Sequence, residues 1–276
     1  MMGFQPREDI PAERRPYELW AGEVGCLFLH GFMGSPKSSR PLAAYLQQHG
    51  ISTICPLLPG HGHLPYKIRG ASHQQWLQEA EQAYQTIRQR CRQVVLLGHS
   101  MGAILAAHLI RQFGAISGLI TFAPLYDLPD KRIRAAHWLR YLVPYVYPLS
   151  LKSFPSDLAI GRVADFDPSI DLDNPAVQKW LRKGTRIPTS GVSEMTKLAD
   201  LGQTLWPQVD VPVLILQGKH DRAVKPAEAQ QLYETLPTQE KQLLWFEGGH
   251  ELLRPSDPVH EQVWPQVLAF VQRVTE

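Results

Sequence analysis

Short, mainly apolar runs alternate along this sequence with segments whose apolar residues recur at helical spacing. The apolar runs are 24–30, 51–55, 93–98, 116–123, 213–217 and 242–246. Runs of this length are too short for buried helices, and their lack of polar alternation is typical of strands that are covered on both faces. The alternation therefore predicts an α/β fold in which helices flank a mostly parallel sheet.

The regular alternation stops after Pro124 and resumes near residue 207. Aromatic residues and prolines replace the β-branched runs in this stretch. The large apolar and aromatic residues of this stretch include Trp138, Leu139, Tyr141, Leu142, Tyr145, Tyr147, Phe154 and Trp180. This composition predicts an inserted helical cap over 125–206, with a core that consists of 1–124 and 207–276.

Charge and hydropathy exclude several classes of function. The chain has 28 Lys and Arg against 26 Asp and Glu, and no basic run is longer than a pair, so nothing predicts nucleic-acid binding. Its apolar runs are shorter than the roughly 20 residues that span a bilayer, and the charged N-terminal stretch is unlike a secretory signal. Three widely spaced cysteines indicate reduced thiols, so we expect a cytoplasmic protein.

The pentapeptide GHSMG at 98–102 follows the strongest predicted strand and precedes a predicted helix. This is the context that a G-x-S-x-G nucleophile needs, because the serine must project from a tight turn between strand and helix. Glycines on both sides let the backbone make that turn, and the helix N-terminus favours negative charge beside the serine. The motif predicts that Ser100 is a nucleophile.

A serine nucleophile needs a base and an acid that orients the base. His250 follows the last predicted strand and a Gly-Gly pair, which makes it the preferred base among eleven histidines. Asp221, in the loop after 213–217, is the preferred acid because the expected chain order is Ser, acid, His. Asp127, after 116–123, and Glu247, beside the base, are the alternative acids.

The loop after the first strand contains His30-Gly31-Phe32, and it predicts one donor of an oxyanion hole. The backbone N–H groups of Phe32 and Met101 are the expected donors. The histidines at 61 and 63 in Gly60-His61-Gly62-His63 lack a neighbouring acidic or cysteine cluster, so no metal site is predicted. No phosphate-binding glycine motif is present, so we expect no cofactor.

Five segments together resemble the α/β-hydrolase family, in its carboxylesterase and monoacylglycerol lipase branch. They are LFLHGFMGSP (27–36), LPGHG (58–62), LLGHSMGA (96–103), VPVLILQGKHDRAV (211–224) and GGHELL (248–253). By this resemblance Ser100 is the nucleophile, Asp221 the acid and His250 the base. The α/β-hydrolase fold with an inserted cap is implied over nearly the whole chain.

The resemblance implies hydrolysis of a small-molecule ester with a hydrophobic acyl chain, through an acyl-enzyme on Ser100. In this fold the cap lies over the nucleophile, so we expect Trp138, Tyr145 and Trp180 to bind substrate. A thioesterase or a carbon–carbon bond hydrolase with the same triad remains an alternative, as does a hydrolase-like protein that binds a ligand without catalysis. The sequence does not specify the oligomeric state.

Overall fold

The computed structural model describes residues 7–128, 131–150 and 156–276. Its strands are β1 Tyr17–Leu19, β2 Val24–Leu29, β3 Ser52–Cys55, β4 Gln93–His99, β5 Gly118–Phe122, β6 Tyr145–Val146, β7 Ile187–Pro188, β8 Val213–Gly218 and β9 Lys241–Phe246. Its α-helices are α1 Arg40–Gln48, α2 His73–Arg88, α3 Gly102–Phe113, α4 Ala136–Leu139, α5 Ser156–Phe166, α6 Pro175–Gly184, α7 Thr189–Leu205, α8 Pro226–Thr235 and α9 His260–Thr275. The six apolar runs of the sequence correspond to strands β2 to β5, β8 and β9, and their bounds differ from those of the strands by at most two residues at each end.

The main sheet in the described residues has seven strands in the order β1-β3-β2-β4-β5-β8-β9. Strands β2, β3, β4, β5, β8 and β9 are parallel to one another, and in this sheet only the edge strand β1 pairs in the antiparallel direction, with β3. The predicted α/β fold with a mostly parallel sheet is confirmed. Strand β1 was not predicted, because its three residues, Tyr-Glu-Leu, are too few to form an apolar run.

Two hydrophobic cores cover the two faces of this sheet. One core packs α2, α3, α7 and α8 on the sheet, with Trp76 and Trp206 among its fully buried side chains. The other packs α1 and α9 against residues such as Phe28 and Phe122. Burial on both faces explains why the central strands are mainly apolar and do not alternate with polar residues.

The segment between β5 and β8 contains α4 to α7 and a small sheet of β6 and β7. Helices α5 and α6 form a separate cluster around Val163, Phe166, Val177 and Leu181. Helix α7 differs, because its Leu198 and Ala199 belong to the larger core of the main sheet. The inserted segment is therefore partly a separate layer and partly an extension of the core. Phe154, one of its aromatic residues, lies outside the described residues.

Candidate active site

Ser100 occupies a strained turn between β4 and α3. Its φ is +53°, a left-handed value that is costly for a residue other than glycine. Its backbone N–H donates to the carbonyl of Phe122 at 2.9 Å, and its own carbonyl accepts from Leu125 at 3.2 Å. These bonds hold the turn against the end of β5, so the surrounding backbone maintains the strain.

The two glycines of the GHSMG motif are required by close packing. A Cβ at Gly98 would lie 2.4 Å from the Cα of Ala103, and a Cβ at Gly102 would lie 2.0 Å from the carbonyl oxygen of Leu29. Both contacts are to backbone, which cannot move aside cheaply. Helix α3 therefore approaches the sheet so closely that only glycine fits on each side of Ser100.

Ser100 and His250 line the same cleft. The other lining residues are Gly31, Phe32, Gly34, Ser38, His99, Arg162, Glu251 and Arg254. The cleft lies at the carboxyl ends of the strands, because Ser100 follows β4 and His250 follows β9. In open parallel sheets this edge is where ligands bind.

His250 pairs with Asp221, which follows β8. The His250 Nδ1 lies 2.8 Å from the Asp221 Oδ2. An ionised carboxylate only accepts hydrogen bonds, so Nδ1 carries the proton and a neutral ring presents the lone pair of Nε2. The pairing thus places the histidine in the tautomer that can take a proton from a hydroxyl group.

Several donors keep Asp221 ionised although it is only 8% exposed. Its Oδ1 accepts from the backbone N–H groups of Ala223 and Val224, at 2.8 and 2.9 Å, and Gln217 donates to Oδ2 at 3.2 Å. Burial alone would raise the pKa of Asp221, but the hydrogen bond from His250 and the backbone donors outweigh it, so the pKa is lowered. Asp221 therefore carries a negative charge beside the imidazole.

Neither alternative acid contacts His250. Asp127 accepts from the Nη2 of Arg134 at 3.0 Å and from the backbone N–H of Leu128 at 2.7 Å. Glu247 is exposed and pairs with Lys219 and His220. Among the three acids that the sequence left open, the structure brings only Asp221 to the histidine.

The loop after β2 lies directly against Ser100. A Cβ at Gly31 would be 3.1 Å from the Ser100 Cβ, and the Gly34 N–H donates to the Gly31 carbonyl at 3.0 Å. The Phe32 ring packs edge-on against Trp76, with ring centres 6.1 Å apart. Phe32 therefore follows a glycine that lies against Ser100, and Met101 is the residue directly after the serine.

His99 supports the loop that carries His250. The His99 Nε2 donates to the His250 carbonyl at 3.0 Å, and the two rings are 4.7 Å apart. Burial lowers the pKa of His99 to about 4, so its ring is neutral near pH 7. The sequence does not indicate this role of His99, because the second position of G-x-S-x-G accepts any residue.

Three charged residues of the cleft were also missed. Arg162 on α5 lies 3.2 Å from Glu251, and Arg254 lies 3.0 Å from the same carboxylate. Burial alone would raise the pKa of Glu251, but the nearby arginines hold it well below its usual range. Glu251 directly follows His250, which was a usable signal, whereas nothing in the sequence connects Arg162 to this loop.

The three cap aromatics are not among the residues that line this cleft. Trp138 is 75% exposed. The Tyr145 ring stacks with Arg69 and Arg186, and its hydroxyl accepts from Arg69 at 3.2 Å. Trp180 packs beside the α5–α6 cluster and over Gly184. Their expected role in substrate binding stays a prediction.

His61 has a structural environment within the Gly60–His63 loop. It is 3% exposed, its ring lies 5.5 Å from that of Trp76, and burial lowers its pKa to about 4. In the described ranges, no group of three or more His, Cys, Asp or Glu side chains is arranged to hold a metal ion. The same part of the chain has no helix long and apolar enough to cross a membrane.

Comparisons of the sequence with known proteins identify a family and several similar hydrolases. Residues 24–257 match the sequence model of the family described as serine aminopeptidase, S33. A thermostable monoacylglycerol lipase of Bacillus sp. (strain H-257) is 27% identical over 240 residues, 86% of each protein. A carboxylesterase of Bacillus subtilis (strain 168) is 23% identical over 261 residues, 91% of this chain and 94% of that one.

The fold has solved counterparts as well. The crystal structure of the Paleococcus ferrophilus monoacylglycerol lipase aligns with a TM-score of 0.71 and 17% identity, covering 94% of this chain and 98% of that one. At this level of identity the likeness concerns the fold. It extends over nearly the whole chain.

Proposed function

The chain belongs to the serine aminopeptidase S33 family of α/β-hydrolases, and we propose that it hydrolyses carboxylic esters of hydrophobic acyl chains through an acyl-enzyme on Ser100. One observation carries the proposal. Ser100, held at φ +53°, shares a cleft with His250, whose Nδ1 lies 2.8 Å from the buried Asp221. The relatives named monoacylglycerol lipase and carboxylesterase support the ester as the bond that is cleaved.

The reaction proceeds in two stages with one base. The Nε2 of His250 takes the hydroxyl proton of Ser100 as Oγ attacks the ester carbonyl, and Asp221 stabilises the imidazolium that forms. The N–H groups of Phe32 and Met101 donate to the tetrahedral oxyanion. His250 then gives its proton to the leaving alcohol, and water attacks the acyl-enzyme by the same route.

The proposal also includes the division into core and cap and the cellular location. The core would consist of 1–124 and 207–276, with a cap over 125–206 whose Trp138, Tyr145 and Trp180 affect acyl selectivity. A cytoplasmic setting is supported by Cys26, Cys55 and Cys91, which are buried and free of disulfides. Burial raises the pKa of the Cys55 thiol to about 12, so this thiol resists oxidation.

The decisive experiment combines covalent labelling of the nucleophile with a comparison of substrate classes. Purified protein is treated with a fluorophosphonate, and the modified residue is identified by mass spectrometry. Hydrolysis is then measured with p-nitrophenyl esters from C2 to C16, an acyl-CoA thioester and a vinylogous diketone. We expect Ser100 to be labelled and esters to give the highest kcat/KM. Failure to label Ser100 would favour a ligand-binding protein, and a preference for the thioester or diketone would favour one of those hydrolases.

A further inference from the structure

A network of ion pairs contributes Arg162, Glu251 and Arg254 to the lining of the cleft. We call it the cleft ion cluster; its members are Arg14, Lys37, Arg162, Asp165, Glu251 and Arg254. These residues come from the N-terminal segment, the loop after β2, helix α5 and the loop after β9. The cluster thus joins the inserted segment to the loop that carries His250.

The cleft ion cluster has more cations than anions. Asp165 pairs with Arg14 at 2.6 Å, with Arg254 at 2.8 Å and with Lys37 at 3.3 Å. Glu251 pairs with Arg162 and again with Arg254. Four cations therefore share two carboxylates, which leaves an excess of two positive charges. Asp165 alone pairs with three cations, and one carboxylate cannot neutralise three positive charges.

The cations nearest the reacting atoms face the cleft. Arg162 and Arg254 line it together with Ser100 and His250, and each side chain keeps 23% of its surface exposed. The Nη2 of Arg162 pairs with the Oε1 of Glu251 at 3.2 Å. A guanidinium has five N–H donors in a planar fork, so Arg162 can also bind a second carboxylate or a phosphate.

The position of the cluster identifies the part of the substrate that would meet it. His250 must come within hydrogen-bond distance of the leaving oxygen in order to protonate it. Glu251 is the next residue along the chain, and both arginines pair with it. The cluster therefore lies beside the residue that protonates the leaving alcohol. Asp221, the carboxylate that pairs with His250, already accepts bonds from His250 and two backbone donors.

We propose that Arg162 and Arg254 form a subsite for an anionic group, a phosphate or a carboxylate, on the leaving alcohol of the ester. The inference rests on the proposed ester hydrolysis and specifies its alcohol. Water is the co-reactant: the bond between the acyl carbon and the alkoxy oxygen breaks, that oxygen receives the proton from His250, and water supplies the new hydroxyl of the acid. The charged group of the alcohol takes no part in the bond changes.

The test uses three esters with one octanoyl chain and different alcohols: glycerol, glycerate and glycerol 3-phosphate. The measured quantity is the charge preference, defined as the kcat/KM of each anionic ester divided by that of the glycerol ester. In the parent protein we expect a charge preference of about ten or more, because a charge-assisted bond to a partly buried arginine is strong. Comparing the glycerate ester with the glycerol 3-phosphate ester shows whether the subsite prefers a carboxylate or a phosphate.

Two variants break the same ion pair with opposite charge changes. Arg162→Gln removes a cation, so we expect the charge preference to fall by about tenfold. Glu251→Gln removes the carboxylate that competes for the same arginines, so the preference should rise. A purely structural role of the Arg162–Glu251 pair predicts that both variants act in the same direction. Arg182→Gln is the matched control, because this exposed arginine on α6 stacks on Tyr147 away from the cleft.

The outcomes separate the two proposals. Hydrolysis of the glycerol ester, with no preference for the anionic esters and equal losses in both variants, would overturn the anionic subsite and leave ester hydrolysis standing. No hydrolysis of any ester, together with no fluorophosphonate labelling of Ser100, would overturn the proposed function itself. Opposite shifts in the two variants, with Arg182→Gln unchanged, would support the subsite.

Discussion

The two sides of the cleft are built in different ways. On the core side, Ser100, Asp221 and His250 follow β4, β8 and β9, whose register is set by backbone hydrogen bonds in one continuous sheet. On the side of α5 and α6, the protein is joined to the core through side chains. Arg14 stacks on Phe166 and pairs with Asp165, and Arg162 pairs with Glu251.

The two kinds of connection respond differently to the replacement of a side chain. Backbone pairing in a buried sheet resists change in a single side chain, so the relative positions of serine, histidine and acid are stable. Side-chain ion pairs can be replaced one at a time, and each partly exposed pair contributes little to stability. We therefore expect the chemistry to depend on the core, whereas selectivity can change through the inserted segment.

The strongest test of the core side removes the nucleophile. Ser100→Ala should lower kcat by about 10⁶-fold, as is typical of serine hydrolases, and abolish labelling by a fluorophosphonate. Its thermal unfolding should match that of the parent, since alanine leaves the turn backbone unchanged. Ser256→Ala, at an exposed serine in the loop after β9, is the control and should keep full activity. Activity of Ser100→Ala near that of the control would refute the assignment.

The next test compares two acids that follow neighbouring strands. Asp221→Asn should lower kcat by about 10⁴-fold, because an amide can favour the wrong imidazole tautomer. Asp127→Asn should leave most of the activity, since Asp127 pairs with Arg134 and not with His250. Steady-state kinetics on one ester would decide between them. A larger loss in the Asp127 variant would move the acid to the loop after β5.

A pH-dependent stability test examines how the inserted segment is anchored. Glu194 on α7 accepts from His73 on α2 at 2.5 Å and from Lys197 at 2.6 Å. Burial would raise the pKa of Glu194, but these hydrogen bonds lower it to about 2. Because the folded pKa lies below the ordinary value of 4.5, the charged form stabilises the protein above pH 4.5, and this stabilisation is lost as the pH falls toward 2.

We expect Glu194→Gln to lower the free energy of unfolding at pH 7 by roughly 1–3 kcal/mol. The difference from the parent should shrink as the pH falls below 4.5. Urea unfolding at several pH values measures it, with Glu261→Gln, an exposed glutamate on α9, as the control. A difference that stays constant with pH would show that the charge of Glu194 is not the anchor.

The smallest expected effects concern the aromatic residues of the inserted segment. Alanine at Trp138, Tyr145 or Trp180, one at a time, should leave the rate of Ser100 labelling within a few-fold of the parent. At least one variant should shift the preferred ester toward longer chains, by a modest amount, because one methylene in a pocket is worth about 1–3 kcal/mol. Profiles over C2 to C16 esters measure this. If all three profiles are unchanged, these aromatics only pack the segment.

Much of the fold could be predicted because it depends on local patterns. Each buried strand of the parallel sheet lies in a mainly apolar run, and GHSMG marks the turn from β4 to α3 by steric need alone. Strand β1 was missed because three residues at a sheet edge need no apolar run. The sequence does not show where the inserted segment ends and the core resumes, because α7 precedes β8 and yet packs into the main core.

The sequence alone determined which loops carry the reactive side chains, because a buried parallel strand and the turn after it are encoded in adjacent residues. Only the tertiary structure decided which acid meets His250, since Asp127, Asp221 and Glu247 all follow strands and differ in what folds beside them. It also assembled the cleft ion cluster, from Arg14 to Arg254. Charged side chains far apart in the chain carry no local signal of pairing, because the free energy of an ion pair depends on a distance that only the completed fold sets.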